Sequence, residues 1–120
     1  MTRLLAALAL LCAAATGPAG AGMALLMFEA PGCSWCARWN EEIGGSYART
    51  EAGRRAPLER LRISAALPED VTLSSRARYT PTFVLIEDGR EVGRIEGYPG
   101  ADFFYPMLER LIARADAPER

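Results

Sequence analysis

Two short motifs, C-S-W-C at Cys33–Cys36 and the Thr80–Pro81 pair, place the tightest constraint on how this chain can fold. The cysteine motif follows an apolar run, Ala24–Phe28, which is typical of a central strand covered on both faces. Two cysteines with two residues between them at the start of a helix can close a disulfide. The first sulfur then lies where unpaired helical N–H groups favour a thiolate. The motif therefore predicts a redox-active cysteine pair presented at the end of a strand.

Composition leaves the cysteine pair as nearly all of the reactive chemistry. The 120 residues carry 14 basic and 15 acidic side chains, a formal net charge of −1, and every basic residue is an arginine. This balance gives no basic patch of the kind that binds nucleic acid. The absence of histidine excludes Ser-His-Asp and Cys-His hydrolase mechanisms and histidine-containing metal sites. The absence of lysine excludes Schiff-base chemistry.

The N-terminal segment, residues 1–21, is predicted to be an export signal that is cleaved from a folded domain at residues 22–120. Arg3 supplies a short positive start, Leu4–Ala15 is apolar, and Ala19–Ala21 offers an A-x-A cleavage site. The apolar stretch is shorter than the ~20 residues that span a bilayer. An uncleaved membrane anchor is the alternative for this segment. Cys12 lies within the stretch and is predicted to be discarded with it.

The sequence of the first half of the domain predicts strands that alternate with helices. After the strand at Ala24–Phe28, helical spacing of apolar residues predicts a helix from Cys33 to about Tyr47. Residues 48–57 are interpreted as a solvated connection. Leu58–Ile63 is predicted to be a strand near the sheet edge, and a short helix is predicted at about 70–77.

The second half predicts a hairpin and a final helix. Thr82–Ile86 and Glu91–Glu96 are predicted to be strands joined by the turn at Asp88–Gly89, since both turn residues tolerate positive φ. The last helix is predicted to begin with Asp102 as its N-cap and to reach Pro106 at the limit of its first turn.

This order of elements resembles the thioredoxin family over residues 23–115. The resemblance implies an α/β protein with the compact thioredoxin-like fold, a central mixed four-stranded sheet flanked by helices. It also implies that Pro81 is cis and lies opposite the cysteines, where the backbone of Thr80 meets an extended substrate. Trp35 and Tyr98 are expected to line the same groove.

Longer stretches are similar to one branch, the small periplasmic thioredoxins associated with bacterial sulfur-oxidation (Sox) systems. The stretches that carry this similarity are Phe28–Cys33, Cys36–Trp39, Thr80–Leu85 and Asp88–Gly100. The resemblance implies a periplasmic thiol-disulfide oxidoreductase that reduces a cysteine or disulfide on a sulfur-oxidation protein. Its electrons would come from an inner-membrane thiol carrier. No cofactor, metal or nucleic acid is expected, and the protein is expected to be a monomer.

The chain departs from its relatives at informative positions. Thioredoxins carry a buried aspartate six residues before the first cysteine, where this chain has Met27, and Glu29 is the nearby substitute. Strong oxidants of the family place Pro-His between their cysteines, and the histidine stabilises the thiolate. Because Ser34 and Trp35 cannot do so, a strong oxidant is not expected. Ser34 also replaces the proline that is common in the Sox-associated branch.

Three alternative functions stay open from the sequence. The first is a general periplasmic disulfide oxidant or isomerase. The second is a module that binds a soft metal ion such as Cu(I) through Cys33 and Cys36. The third is a binding module whose disulfide is structural.

The position of the motif predicts that Cys33 is the more reactive sulfur and Cys36 the resolving one. Alkylation of the reduced protein near neutral pH, followed by peptide mass analysis, should therefore label Cys33 first. Preferential labelling of Cys36 would contradict this order.

Overall fold

The computed structural model describes residues 22–118 as a four-stranded sheet with helices packed on it. The strands are β1 (Met23–Glu29), β2 (Leu58–Arg62), β3 (Thr82–Glu87) and β4 (Arg90–Glu96). The helices are α1 (Ser34–Trp39), which continues into a π turn at Asn40–Gly44, α2 (Glu51–Arg55), which follows a 3-10 turn at Tyr47–Arg49, and α3 (Ala101–Asp116). None of the helices in this range has the length and apolar character needed to cross a membrane. The predicted export signal, residues 1–21, lies outside the described residues.

The sheet has the order β2-β1-β3-β4, with β1 parallel to β2 and antiparallel to β3. The predicted mixed four-stranded sheet and the edge position of β2 are therefore confirmed. Phe28 near the end of β1 pairs with Thr82 at the start of β3, which pairs with Glu96 at the end of β4. Segments 30–33, 79–81 and 97–100 consequently leave the sheet at the same end.

The face of the sheet toward α1 and α3 holds an aromatic core centred on Trp39. The side chain is fully buried, and its ring centroid lies 5.3 Å from that of Phe83, 5.8 Å from Phe104 and 6.0 Å from Tyr47. Phe83 and Phe104 pack edge to face at 4.9 Å. Such tilted pairs add about 0.5–1.5 kcal/mol each beyond the area that they bury. This cluster fixes α1 and α3 against β3.

The opposite face is covered by an irregular segment, and the helix predicted at 70–77 is wrong. Val71, Leu73 and Ala77 pack there against Leu26 and Val84. The backbone of this segment is satisfied by the sheet rather than by a helix. The Thr72 N–H donates to the Gly89 carbonyl at 2.8 Å, and the Thr72 carbonyl accepts from the Glu91 N–H at 3.1 Å. Thr72 is β-branched, and its backbone pairs with the edge of the sheet. The segment therefore does not form the helix that its sequence weakly predicted.

The helix predicted from Cys33 to Tyr47 buries the residues that its spacing predicts, but it is not one continuous α-helix. Cys36, Trp39, Ile43 and Tyr47 are all buried, as the spacing predicts. Cys33 itself is the N-cap, and the α-helical part ends at Trp39. The π turn and the glycines at its end break the helix, since glycine costs roughly 1 kcal/mol in a helix interior.

The solvated connection predicted at 48–57 is also wrong, because this segment forms α2 and contributes to the core. Ala52, Gly53 and Ala56 are buried. Thr50 is the N-cap: its hydroxyl oxygen accepts from the Gly53 N–H at 3.0 Å while the hydroxyl donates to the Tyr47 carbonyl at 2.7 Å. A capping threonine offsets the short length of the helix.

The last helix begins earlier than predicted, with Gly100 rather than Asp102 as its N-cap. Gly100 has φ +95°, a conformation that residues with a Cβ rarely adopt, and its carbonyl accepts from the Phe104 N–H at 2.9 Å. Asp102 lies in the first turn, where a carboxylate is favourable near the unpaired N–H groups. Pro106 therefore lies inside the helix rather than at the limit of its first turn.

The close approach at Gly53 predicts that Gly53→Ala destabilises the protein. A Cβ at this position would overlap the backbone carbonyl of Tyr47, which cannot move away like a flexible side chain. We expect a loss of about 1–3 kcal/mol in the free energy of unfolding, measured by urea denaturation.

The matched control is Gly45→Ala. Gly45 has φ −72°, and nothing lies within 4 Å of the position that an added methyl group would take. Alanine there should be neutral or stabilise by about 0.4–1 kcal/mol. Equal effects of the two substitutions would contradict the packing at Gly53.

Candidate active site

Cys33 and Cys36 form a disulfide at the N-terminus of α1, with their Cα atoms 5.2 Å apart. The turn before it brings the Cys33 N–H to 3.3 Å from the Ala30 carbonyl, and Gly32 supplies the φ of +75° that this turn needs. Cys33 is the N-cap of α1, and its Sγ accepts a hydrogen bond from the Cys36 N–H at 3.1 Å. In the reduced protein this N–H would face the Cys33 thiolate.

The two sulfurs differ in access. Cys33 is half-buried, whereas Cys36 is only 4% exposed and belongs to the core beside Trp39. A sulfur on another molecule can therefore approach Cys33, while Cys36 has access mainly to Cys33 itself.

Thr80 and Pro81 leave the sheet at the same end as the cysteines. The Thr80–Pro81 bond is cis, which confirms the expectation from the family resemblance. Pro81 is buried and Thr80 half-buried, and the Pro81 carbonyl accepts from the Gly97 N–H at 2.7 Å. The Thr82 hydroxyl donates to the Tyr79 carbonyl at 2.6 Å, which ties the 79–81 segment to the start of β3.

Two exposed aromatic side chains occur in these segments. Trp35, between the cysteines, is 52% exposed, and the Arg38 guanidinium stacks on its ring at 5.4 Å. Tyr79, which directly precedes Thr80, is 61% exposed. The sequence pattern singled out Trp35 but not Tyr79, although an aromatic residue next to the Thr-Pro pair is a usable signal.

Tyr98, expected to line the groove, is largely buried in the structure, with 7% of its surface exposed. Its ring packs edge to face on Phe104 at 6.2 Å. Its hydroxyl donates to Glu42 at 3.2 Å, and Glu42 in turn pairs with Arg38 at 3.4 Å. Burial and the neighbouring Glu42 carboxylate raise the pKa of Tyr98, so it stays protonated and remains a donor near neutral pH. Tyr98 thus links the 97–100 segment to the helix that carries the cysteines.

An arginine on β2 connects two polar residues, Glu29 and Asn40, that line the same surface pocket as the disulfide. Arg60 pairs with Met27 in the sheet register, and its Nη1 lies 3.7 Å from the Met27 sulfur and 2.6 Å from Glu29 Oε1. Its Nη2 donates to Asn40 Oδ1 at 2.8 Å. The position of the usual buried aspartate is thus apolar, and the carboxylate of Glu29 lies further along the strand. Sequence reasoning missed Arg60, because only the register places it beside Met27.

A largely buried ion pair, Glu91 with Arg94, anchors the segment that leads to Thr80. The side chains of Glu91 and Arg94 are 7% and 14% exposed and approach to 2.6 Å. Glu91 also accepts from the Ser74 N–H at 3.1 Å, and Arg94 donates to the Ser75 carbonyl at 2.7 Å. The pair therefore ties residues 74–75 to β4.

A metal site would need several donor side chains close together. Within residues 22–118, no group of three or more His, Cys, Asp or Glu side chains is placed to hold a metal ion.

Comparison with known proteins agrees with this geometry. A family described as thioredoxin-like domain matches residues 13–112. The chain belongs to the thioredoxin-like family. It is a thiol-disulfide oxidoreductase with a C-x-x-C active site, the Cys33–Cys36 disulfide. None of the curated proteins compared with it matches significantly.

Of three solved structures of thioredoxins that are similar to the chain, one is similar in sequence and fold and two are similar in fold alone. The periplasmic thioredoxin SoxS from Paracoccus pantotrophus, in its reduced form, is 53% identical, covers 78% of this chain and 98% of its own, and has a TM-score of 0.76. Thioredoxins from Fasciola hepatica and Malassezia sympodialis are 18% and 16% identical, with TM-scores of 0.53 and 0.52. They cover 76% of this chain each, and 83% and 77% of their own chains. The latter two support the fold alone, whereas SoxS confirms the resemblance to small periplasmic thioredoxins.

The anchoring ion pair predicts a specific loss of stability in acid. The hydrogen bond from Arg94, together with that from the Ser74 N–H, holds the pKa of Glu91 below its ordinary 4.5. A carboxylate whose pKa is lower in the folded than in the unfolded protein contributes its full stabilisation at pH values above the unfolded-state pKa. That contribution is lost as the pH falls through the folded-state pKa. The free energy of unfolding should therefore decline below about pH 4.5 in the parent protein, and less so in Glu91→Gln.

Urea denaturation at several pH values checks this prediction. Glu41→Gln, which removes an exposed carboxylate from the turn after α1, should keep the decline of the parent protein. An unchanged pH dependence in Glu91→Gln would show that the ion pair contributes nothing to it.

Proposed function

We propose that the protein is a periplasmic reductase that receives electrons from an inner-membrane thiol carrier and delivers them to a cysteine or disulfide on a sulfur-oxidation protein. The single observation that carries the proposal is the 53% identity to periplasmic SoxS over 98% of that chain. The proposal includes cleavage of residues 1–21 and export of the domain at 22–120.

The two sulfurs have separate roles in the proposed reaction. The Cys33 thiolate attacks a partner disulfide, forms a mixed disulfide and releases one partner thiolate, which takes a proton. The Cys36 thiolate then attacks Cys33 Sγ, releases the second partner sulfur and closes the Cys33–Cys36 disulfide. Two electrons pass from the protein to the partner, and a dithiol carrier restores them by the reverse exchange. The greater exposure of Cys33 supports this order.

The partner segment is proposed to bind across Thr80 and Pro81 as an added strand. Trp35 is proposed to contact it directly, because over half of its surface is available. Tyr98 is proposed to act from beneath the groove, through its hydrogen bond to Glu42, rather than as an exposed contact.

The choice between reductase and oxidant rests on the residues between the cysteines. Neither Ser34 nor Trp35 carries a charge that would stabilise the Cys33 thiolate. The reduced form is therefore less favoured than in strong oxidants, which have potentials of roughly −120 mV, and the couple should be clearly more reducing than that.

A Cys36→Ala variant tests the proposal, because it holds the mixed disulfide on Cys33. Expressed in the native organism, it should trap a protein that takes part in sulfur oxidation. The matched control, Cys33→Ala with Cys36→Ala, should trap nothing. Equilibration of the parent protein with glutathione should give a potential clearly below roughly −120 mV.

Other results would contradict the proposal. Trapping of many unrelated periplasmic proteins, together with a potential near that of the strong oxidants, would indicate a general oxidant or isomerase. A disulfide that resists thiol reductants of thioredoxin strength would indicate a structural disulfide.

A further inference from the structure

A cleft of about 390 Å³ opens beside the disulfide and is lined by both cysteines. Glu29 and Asn40 also line it. A volume of this size holds several water molecules, since each occupies about 30 Å³ in the liquid. Water in the cleft can therefore reach the side of Cys36 that is not covered by the core.

Glu29 is the one titratable group besides the cysteines among the described residues that line this cleft. Its side chain is 26% exposed, and its Oε1 accepts the hydrogen bond from Arg60 at 2.6 Å. The hydrogen bonds of the described residues leave its second oxygen, Oε2, free to accept from water. Glu29 thus lines the same water-accessible space as the resolving cysteine.

Arg60 holds this carboxylate in a fixed place. Its guanidinium donates to Asn40 Oδ1 at 2.8 Å, contacts the Met27 sulfur at 3.7 Å and stacks over the Trp39 ring at 5.8 Å. Contacts to β1, to the turn after α1 and to the Trp39 ring orient the guanidinium, and the rest of its side chain, 43% exposed, faces solvent. Glu29 is consequently oriented by a group that is itself anchored on three sides.

Other charged groups near the helix are engaged elsewhere. Arg38 pairs with Glu42 and stacks on Trp35, and Glu42 accepts from Tyr98. None of these four side chains lines the cleft. Asn40 does line it but cannot take up a proton near neutral pH. Arg60 donates a hydrogen bond to Glu29 and has no acceptor atom of its own.

The resolving step requires a proton acceptor. Cys36 must become a thiolate before it attacks the Cys33 sulfur, and at 4% exposure it has little contact with bulk water. We infer that the Glu29 carboxylate accepts the Cys36 proton through water in the cleft. The Cys36 thiolate then forms the bond to Cys33 Sγ, the bond from Cys33 to the partner sulfur breaks, and the partner leaves with the electron pair. Glu29 returns the proton to solvent or to the departing thiolate.

This inference concerns the exchange reaction itself and holds whichever partner the protein serves. It rests on the order of the two sulfurs proposed above. A test must therefore separate the attack of Cys33 from the resolution by Cys36.

Stopped-flow reaction of the reduced protein with 5,5′-dithiobis(2-nitrobenzoic acid) separates the two steps. Attack by Cys33 releases the first thionitrobenzoate, and resolution by Cys36 releases the second. Thionitrobenzoate leaves as a stable anion, so it cannot take the Cys36 proton. Glu29→Gln keeps an oxygen that can accept from Arg60 but loses the basic carboxylate.

We expect Glu29→Gln to slow the second phase about tenfold near pH 6–7 and to leave the first phase unchanged. The deficit should shrink above about pH 8.5, where an ordinary cysteine ionises without help. Glu29→Asp, which retains a carboxylate, should slow the second phase less than Glu29→Gln. Glu59→Gln removes the same charge from an exposed position on β2 and should match the parent protein.

Two results would overturn the role of Glu29. One is a second phase in Glu29→Gln that equals that of the parent protein at every pH. The other is an equal slowing of both phases at every pH, which would indicate a structural role alone. Cys36→Ala should release one thionitrobenzoate and keep the other on Cys33. Cys33→Ala, which retains only Cys36 in the domain, should react more slowly than Cys36→Ala, because Cys36 is only 4% exposed. An equal or faster reaction would overturn the order of the sulfurs and, with it, the inference.

Discussion

The packing of Trp39 against the sheet is the contact on which the position of the disulfide depends. The indole is fully buried between Phe83 of β3 and Phe104 of α3. Cys36 lies three residues earlier in the same helix and shares its buried face. Fixing the ring therefore fixes the backbone of Cys36, whose N–H meets the Cys33 sulfur at 3.1 Å. A core contact thereby sets the geometry of a reactive group at the surface.

The surface around the disulfide is assembled from segments that are held by bonds to one another. The Gly97 N–H donates to the Pro81 carbonyl, and Tyr98 donates to Glu42 in the turn after α1. The segment before Thr80 is tied to β4 by Glu91. Because each segment is bonded to a neighbouring one, Trp35 can stay exposed and Thr80 half-buried without losing a defined position. A rigid framework of this kind suits a site that must accept an extended partner.

Position 27 is where this chain departs from the common thioredoxin arrangement. Met27 gives the strand an apolar, fully buried residue at the position where the resemblance to thioredoxins implies an aspartate. An isolated buried carboxylate is costly, whereas a carboxylate paired with Arg60 at the edge of a cleft is not. If Glu29 serves Cys36, the proton path runs through solvent in the cleft rather than through the core. Thiol-disulfide exchange then proceeds without the cost of burying a charged carboxylate in the core.

Local signals in the sequence were enough to predict much of the fold and the centre of the site. The cysteine motif, the apolar strand before it, the Asp88–Gly89 turn and the buried stripe of α1 were all predictable, because spacing and turn residues act over a few positions. The irregular cover at 70–77 and the helix α2 were not, since their backbones are stabilised by strand edges and a capping threonine. The place of Arg60 beside Met27 and Glu29, and the burial of Tyr98, became visible only in three dimensions. Those contacts join residues far apart in the chain, and register and packing, rather than sequence spacing, bring them together.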